Sequence, residues 1–364
     1  MVEPIVAFCT VAMNRLNHIR QTLPVNLEVN KSSSTQFVLL DYNSQDGLDE
    51  YVQSNFQNEI ADNRLIYYQH KSAETFHRSH SRNMAFKLAT ADIVCNLDAD
   101  NYTGPGFGKY LQRVFSCKMD VCLTGINNPV NTGATGKLCV SKDHFLQVTG
   151  YDEKFEGYGF EDFDIVNRLQ LNGCETFTIN NKEYLQAHSH EHTERICNES
   201  FYRSVQAVYV HYFDPHRSRL LYLLKDRKFI TATIINKYTL NSELPDIAPT
   251  PGKYPQTQFE VENGWEQGEW SRQENQYLLK YNGESEVCHQ VFTKSQSSLQ
   301  SCSNTYFEVA DTALKFNAIR FYTEHTNRSL MYSNLRSGKV KVNKCFGSGT
   351  VYKNFSDTPI EIAN

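Results

Sequence analysis

Long apolar runs are missing from this 364-residue chain, and no stretch approaches the roughly 20 residues that cross a bilayer. Basic charge is not in excess. Lys and Arg total 36 against 41 Asp and Glu, a net charge of −5, so no electrostatic argument points to a nucleic-acid partner. The 10 cysteines include no Cys-x-x-Cys pair, which excludes the usual structural zinc spacing and gives no sign of a disulfide framework. The opening "MVEPIVAFCTVAMNR" lacks the basic start and small-residue cleavage site of a signal peptide. The expected location is therefore the cytoplasm, or peripheral at a membrane, where the five Asn-x-Ser/Thr triplets have no meaning. Tryptophan is scarce at 2, but 21 Tyr and 22 Phe can supply a sizeable core, so disorder is not expected. There is no internal repeat and no low-complexity tract.

The first half alternates two periodicities. "PIVAFCTV" reads as a buried strand, and in "NRLNHIRQTL" Leu16, Ile19 and Leu23 fall on one helical face. "QFVLLDYNSQDG" is a second strand ending at Asp41, and "RLIYYQH" a third. "SHSRNMAFKLA" reads as a helix capped by Ser79, with Met84, Ala85 and Leu88 inward. "ADIVCNL" then leads to Asp98 and Asp100. Strands separated by helices predict a largely parallel sheet covered on both faces, with ligands bound beyond the carboxyl ends of the strands. Four prolines, Pro245, Pro249, Pro251 and Pro255, crowd one short stretch and predict an extended linker. After it come short alternating runs, "QYLLKY", "VCHQVFT", "TYFEVA", "AIRFYTEH", "KVKVN" and "TVYKNF", read as an antiparallel sandwich or barrel. The expected organisation is a catalytic domain at 1–242, a proline-rich linker at 243–258 and an all-β domain at 259–364.

Three motifs carry chemistry. In "CNLDADNY" two carboxylates one residue apart follow a buried strand. A hard divalent cation held by carboxylate oxygen can bridge two phosphate oxygens of a nucleotide diphosphate. A haloacid-type phosphatase would want the motif after the first strand, and an EF-hand would want an oxygen ligand and a glycine where Tyr102 and Thr103 stand. In "GYDEKFEGYGFEDFDIVNRLQLNG", Gly157 and Gly159 flank Tyr158 and allow close approach of backbone to a ligand. Glu161, Asp162 and Asp164 then crowd the first turn of a helix that Gly173 ends, more acid than capping needs. Mutual repulsion among them can keep one as a usable base. In "AHSHEHTER", alternation along a strand would put His188, His190 and His192 on one face, and a mixed carboxylate–imidazole site favours manganese over magnesium. Three ligands from one short strand rarely fit one ion, so one or two of these are expected to ligate.

Together "TVAMNRLNHIRQTLP", "LLDYNSQDG", "SRNMAFKLATADIVCNLDAD", "GYDEKFEGYGFEDFDIVNRL" and "AHSHEH", over about residues 3–215, resemble a nucleotide-sugar glycosyltransferase. The resemblance is to family 2 enzymes of the GT-A fold and, through the second motif, to β-1,4-galactosyltransferases and the bacterial chondroitin-polymerase type. It implies a Rossmann-like, mostly parallel α/β sheet between helices, with the smaller all-β domain appended. It also implies a UDP-sugar donor, Mn2+ (or Mg2+), and an oligosaccharide or polysaccharide acceptor. By the same resemblance Asp41 reads the uracil ring, with Thr10 and Arg15 on the nucleotide-facing first loop and Arg82 near the ribose-diphosphate. Asp98 contacts ribose or sugar hydroxyls. Asp100 holds the metal with His188, His190 being the fallback. Glu161 holds donor sugar hydroxyls, Asp162 is the catalytic base, and Tyr158 covers the sugars. The galactosyltransferases carry Trp-Gly-Trp where Glu156, Gly157 and Tyr158 stand here, so donor and acceptor identity do not transfer.

The activity expected is inverting transfer of a hexose or N-acetylhexosamine to a glycan hydroxyl. Two rival classes are a sugar nucleotidyltransferase, which would normally carry a Gly-rich basic signature near the first strand that "CTVAMNR" lacks, and a carbohydrate-binding protein using Trp265 and Trp270. The C-terminal domain is a candidate for acceptor binding, for bracing the catalytic domain or for homo-oligomer formation.

Overall fold

The computed structural model describes residues 3–31, 33–126, 133–188, 194, 196–237, 258–293 and 296–363. Two compact units are present, residues 1–200 with 326–364, and residues 201–325.

The first unit is built on one sheet. Strands β1 (Val6–Ala12), β2 (Thr35–Asp41), β3 (Leu65–Gln69) and β4 (Ile93–Asn96) are parallel, in the order β3-β2-β1-β4. β5 (Val121–Thr124), β6 (Leu138–Ser141) and β7 (Glu175–Thr178) extend it as β4-β6-β5-β7, with β6 antiparallel to both neighbours. Every residue of β1 is buried, as a central strand covered on both faces requires. One covering layer contains the helices Arg78–Leu88 and Glu161–Leu171, whose Met84, Phe86, Ile165 and Leu169 join the core on that face. The other contains the helices Leu16–Val29 and Phe107–Cys117. In the former, Leu16, Ile19, Leu23 and Leu27 recur at helical spacing and are all buried. This is the Rossmann-like, mostly parallel sheet between helices that was expected.

The second unit is a closed barrel. β8 (Val205–Tyr212), β9 (Arg217–Leu224) and β10 (Lys228–Asn236) form a meander, and the short β11 (Phe259–Val261) hangs on the end of β10. β12 (Glu266–Gln273), β13 (Gln276–Tyr281), β14 (Glu284–Phe292), β15 (Ser297–Gln300) and β16 (Thr305–Glu308) follow, and β16 returns to β8. Closure removes the sheet's open edges. The interior holds Tyr209, Leu221, Phe229, Trp270, Leu279, Cys288 and Leu299.

The division differs from the one composition suggested. β8 to β10 precede the proline-rich stretch, yet hydrogen-bond to strands that follow it, so the barrel unit begins near residue 201 and not at 259. Residues 326–364 belong to the first unit because β17 (Gly349–Lys353) pairs with β3, and β18 (Pro359–Ile362) with β17. "AIRFYTEH" is not a strand but part of the helix Thr312–Arg336, and "KVKVN" is irregular. Pro245, Pro249, Pro251 and Pro255 lie outside the described residues. The helix Arg78–Leu88 starts two residues earlier than expected, because His77 and not Ser79 caps it, its ring nitrogen accepting from the His80 N–H. Trp270 is a core residue at 3% exposure. Trp265 packs on Tyr322 and donates to His325 Nδ1 at 3.1 Å, so neither tryptophan presents a free stacking platform. No helix among the described residues is long and apolar enough to cross a membrane.

Candidate active site

The Asp98–Asp100 turn is held by the helix beneath it. Thr22 Oγ1 donates to the Ala99 carbonyl at 2.8 Å and Asn26 Nδ2 to the Asn101 carbonyl at 3.0 Å. Both side chains are buried on the apolar face of the helix Leu16–Val29. The buried Lys137 donates from Nζ to the Tyr102 carbonyl at 2.9 Å and also to the Tyr184 carbonyl. A turn whose carbonyls are bound in this way keeps its carboxylates in one orientation.

Arg78 and Arg82 lie one helical turn apart and so share a face of their helix. Arg82, with 3% of its side chain exposed, gathers three acids. Its Nη2 donates to Asp98 Oδ1 at 3.0 Å, and its Nη1 to Asp162 Oδ1 at 2.9 Å and Glu161 Oε1 at 3.1 Å. Asn96 Nδ2 donates to the same Asp98 oxygen at 2.9 Å. Arg78 donates to Glu199 Oε1 at 2.6 Å, stands 3.6 Å from Glu161 Oε1, and lies over the Tyr158 ring at 5.2 Å. Gly136 closes the back of the group. A Cβ there would stand 2.9 Å from Asp98 Oδ2 and 3.3 Å from Asp162 Oδ2, so only glycine leaves the carboxylates in place.

Four carboxylates, Asp98, Glu161, Asp162 and Glu199, thus meet two guanidinium groups. Burial and the neighbouring charges of Glu161 and Asp98 push Asp162 up to about 8 against the pull of Arg82, although 19% of its side chain still meets solvent. Asp98 goes the other way. Burial pushes it up, but Arg82 and the Asn96 amide outweigh that and bring it below the usual carboxylate range. Two acids on one arginine are thereby driven apart, the condition for one to serve as a base while the other stays ionised.

Asp100 and His188 come together through the main chain, where the His188 N–H donates to the Asp100 carbonyl at 2.7 Å and Asn101 bridges to Ala187. His188 follows that bridge as irregular chain and not in a strand; His190 and His192 lie outside the described residues. The His18 ring is 6.1 Å from that of His188, and Glu194 lies 3.4 Å from both His18 Nε2 and Arg15 Nη1. Among the described residues no three His, Cys, Asp or Glu side chains cluster as a metal cage. A carboxylate and an imidazole on adjoining segments nevertheless suit a borderline cation that keeps positions for phosphate oxygens.

Thr10 is buried within β1. Asp41 ends β2 as expected, but its side chain turns inward, accepting from the Ser44 N–H at 2.7 Å and from the Tyr67 hydroxyl at 2.8 Å. It is 1% exposed, and burial raises its pKa. The structure therefore brings Arg82, Asp98, Glu161, Asp162 and, through Arg78, Tyr158 into one group, with Asp100 and His188 on the adjoining turn; it does not join Asp41 to them. Sequence reasoning missed Arg78, Asn96, Gly136 and Glu199. The four-residue spacing of the two arginines was a usable signal. Glu199, in "ICNES", sits in no pattern at all.

Residues 113–193, which include the Tyr158–Asp164 segment, match the family model described as the N-terminal domain of galactosyltransferase. No curated protein matches the chain. Among solved structures it is similar to the mannosyltransferase PcManGT from Pyrobaculum calidifontis in complex with GDP-Man and Mn2+ (16% identity, 50% of this chain and 56% of that one, TM-score 0.41). It is similar also to S. aureus TarS (16%, 50% and 60%, TM-score 0.42). A third is Drosophila β-1,4-galactosyltransferase 7 with manganese, UDP-Gal and xylobiose (16%, 52% and 73%, TM-score 0.35). The chain thus spans 56–60% of the length of the first two. Residues 113–193 are thus a segment similar to a galactosyltransferase domain.

Proposed function

We propose that this chain, with its galactosyltransferase-family segment, is a metal-dependent inverting glycosyltransferase moving a hexose or N-acetylhexosamine from a UDP-sugar to a glycan hydroxyl. The observation that carries the reading is the Arg82 group, which sets Asp162 beside Asp98 and Glu161 next to the turn bearing Asp100. Asp162 takes the proton of the acceptor hydroxyl as that oxygen bonds to the anomeric carbon, and the bond from that carbon to the UDP oxygen breaks on the opposite face. Glu161 would hold donor sugar hydroxyls, Asp98 ribose or sugar hydroxyls, and Tyr158 would cover the sugar ring. Asp100 and His188, or His190, would hold Mn2+ (or Mg2+), which when bound supplies positive charge for the departing diphosphate. Arg15 would face the nucleotide, with Thr10 behind it in β1. Asp41 would act on the uracil only after giving up its Tyr67 bond. The enzyme acts in the cytoplasm or peripherally at a membrane, and any self-association is assigned to the barrel.

The test is product identity. Incubation with Mn2+ and a panel led by UDP-galactose and UDP-N-acetylhexosamines, with glycan acceptors, releases UDP above the spontaneous rate. Pyrophosphate from a nucleoside triphosphate and a sugar phosphate, or binding of glycan with no product, would replace this reading with one of its rivals.

A further inference from the structure

The loop that presents Tyr158 has little stiffness of its own. Gly157 (φ 71°), Gly159 (φ 103°) and Phe160 (φ 68°) are all left-handed, and two of them are glycines with wide conformational freedom. It is fastened by chain that returns after the barrel. Asn327 Nδ2 donates to the Glu156 carbonyl at 3.1 Å and the Tyr158 carbonyl at 3.4 Å, the two that flank Gly157. Asn334 Nδ2 donates to Asp152 Oδ2 at 3.0 Å and Asp164 Oδ1 at 2.9 Å. Asn343 Nδ2 donates to the Thr149 and Tyr151 carbonyls at 2.8 and 2.7 Å. Three asparagines of the returning segment thus grip the span from Thr149 to Asp164, and none lies within the family-matched residues 113–193.

We propose that Asn327 is a positioning residue for the candidate active site, fixing Tyr158 over Arg78 and so shaping the sugar subsite. A primary amide has two N–H donors, which is what two carbonyls on either side of one glycine require. Asn327 is 3% exposed, so its bonds are shielded from water. Asn334 and Asn343 secure the flanks of the same loop. Asn327 alone of the three binds the residues that bracket Gly157. Its catalytic consequence rests on the glycosyltransferase reading; its structural consequence does not.

Hydrogen–deuterium exchange on the full chain separates the two. In Asn327→Ala, peptides covering 155–161 exchange about tenfold faster or more, because the loop opens more often once its two carbonyls lose their donor, while the strands of the sheet keep their protection. With UDP-galactose as donor, or whichever donor of the panel releases UDP, the KM for the sugar nucleotide rises about tenfold with kcat nearly kept. Binding of UDP with Mn2+, which does not involve the sugar subsite, stays unchanged. Asn327→Gln, which retains the amide, recovers part of both effects and carries the measurement if the alanine variant does not fold. Unchanged exchange at 155–161 in the alanine variant overturns the inference, as does acceleration spread evenly over the whole chain in both variants. Wild-type protein that releases no UDP sinks the glycosyltransferase reading and leaves the exchange result to decide Asn327.

Discussion

Asp162 and Asp164 stand two residues apart in one helical turn, and each meets a buried guanidinium. Asp164 accepts from Arg168 Nε at 2.7 Å and from Asn334 Nδ2 at 2.9 Å, and both members of its ion pair are 1% exposed. One negative charge faces one positive charge, and both carboxylate oxygens are bonded inside the protein. Asp162 instead shares Arg82 with Glu161 and Asp98, keeps 19% of its side chain open, and sits where acids outnumber arginines. A matched buried pair is a structural joint. An unmatched one, with a face to solvent, keeps a titratable carboxyl for something that arrives from outside. The three acids that looked like one over-capped helix start are therefore two sites with different work.

Substitution breaks that comparison most directly. Asp162→Asn should cut sugar transfer by roughly 10²–10⁴-fold, the range of a lost general base, while binding of UDP with Mn2+ and the unfolding midpoint stay near wild type. Asp164→Ala should do the reverse, lowering stability by about 3–5 kcal/mol in denaturant unfolding because Arg168 is left buried without a counter-charge. If Asp162→Asn transfers sugar at the wild-type rate, or proves the less stable of the two, the division between joint and site is wrong. Gly136→Ala probes the same group from behind. Its methyl would crowd Asp98, Arg82 and Asp162, a misfit of about 1–3 kcal/mol that falls on the acid group before the core. Activity should fall further than stability; an alanine variant as active as wild type would show that the carboxylates have room to move.

How much of this the residues betray depends on how local the cause is. Strand and helix alternation in the first half is written in periods of two and 3.6, so β1 to β4 and the helices Leu16–Val29 and Arg78–Leu88 are legible, while the short helices Leu48–Asn55 and Gln57–Ala61 are not. The order of Asp98, Asp100, Glu161 and Asp162 along the chain is legible too. The ion-pair partners are not, because Arg82 reaches Asp162 across 80 positions and Glu199 reaches Arg78 across 121. The helix Thr312–Arg336 hides for another reason. Its buried positions include Thr323, Asn327 and Asn334 besides Phe316, Ile319 and Met331, so polar residues interrupt the apolar stripe that would announce it. Those same asparagines tie its last part, from Thr326 on, to the first unit. The barrel's extent was obscured because β8 to β10 find their partners on the far side of the proline-rich stretch.

The smallest expected effect is also the one that sharpens the contrast between the two aspartates, since burial raises both. Asp162 is pushed to about 8 by burial and by Glu161 and Asp98, and a base works only when ionised. The rate of transfer at limiting substrate should therefore climb with pH and level off above about 8, a gain of about fivefold between pH 7 and pH 8. Stability carries the opposite sign. A carboxyl whose folded pKa lies above its unfolded value near 3.9 adds stability below that pH, and this contribution is lost as pH rises through about 8. In Asp162→Asn the rate wave disappears and the stability curve flattens over that interval. Asp164 titrates in the same direction but touches no substrate, so replacing it should leave the shape of the rate profile alone in whatever fraction of the variant remains folded. A pH–rate profile that is flat in the wild type from 6 to 9 would remove Asp162 from the base position and leave its raised pKa a consequence of crowding alone.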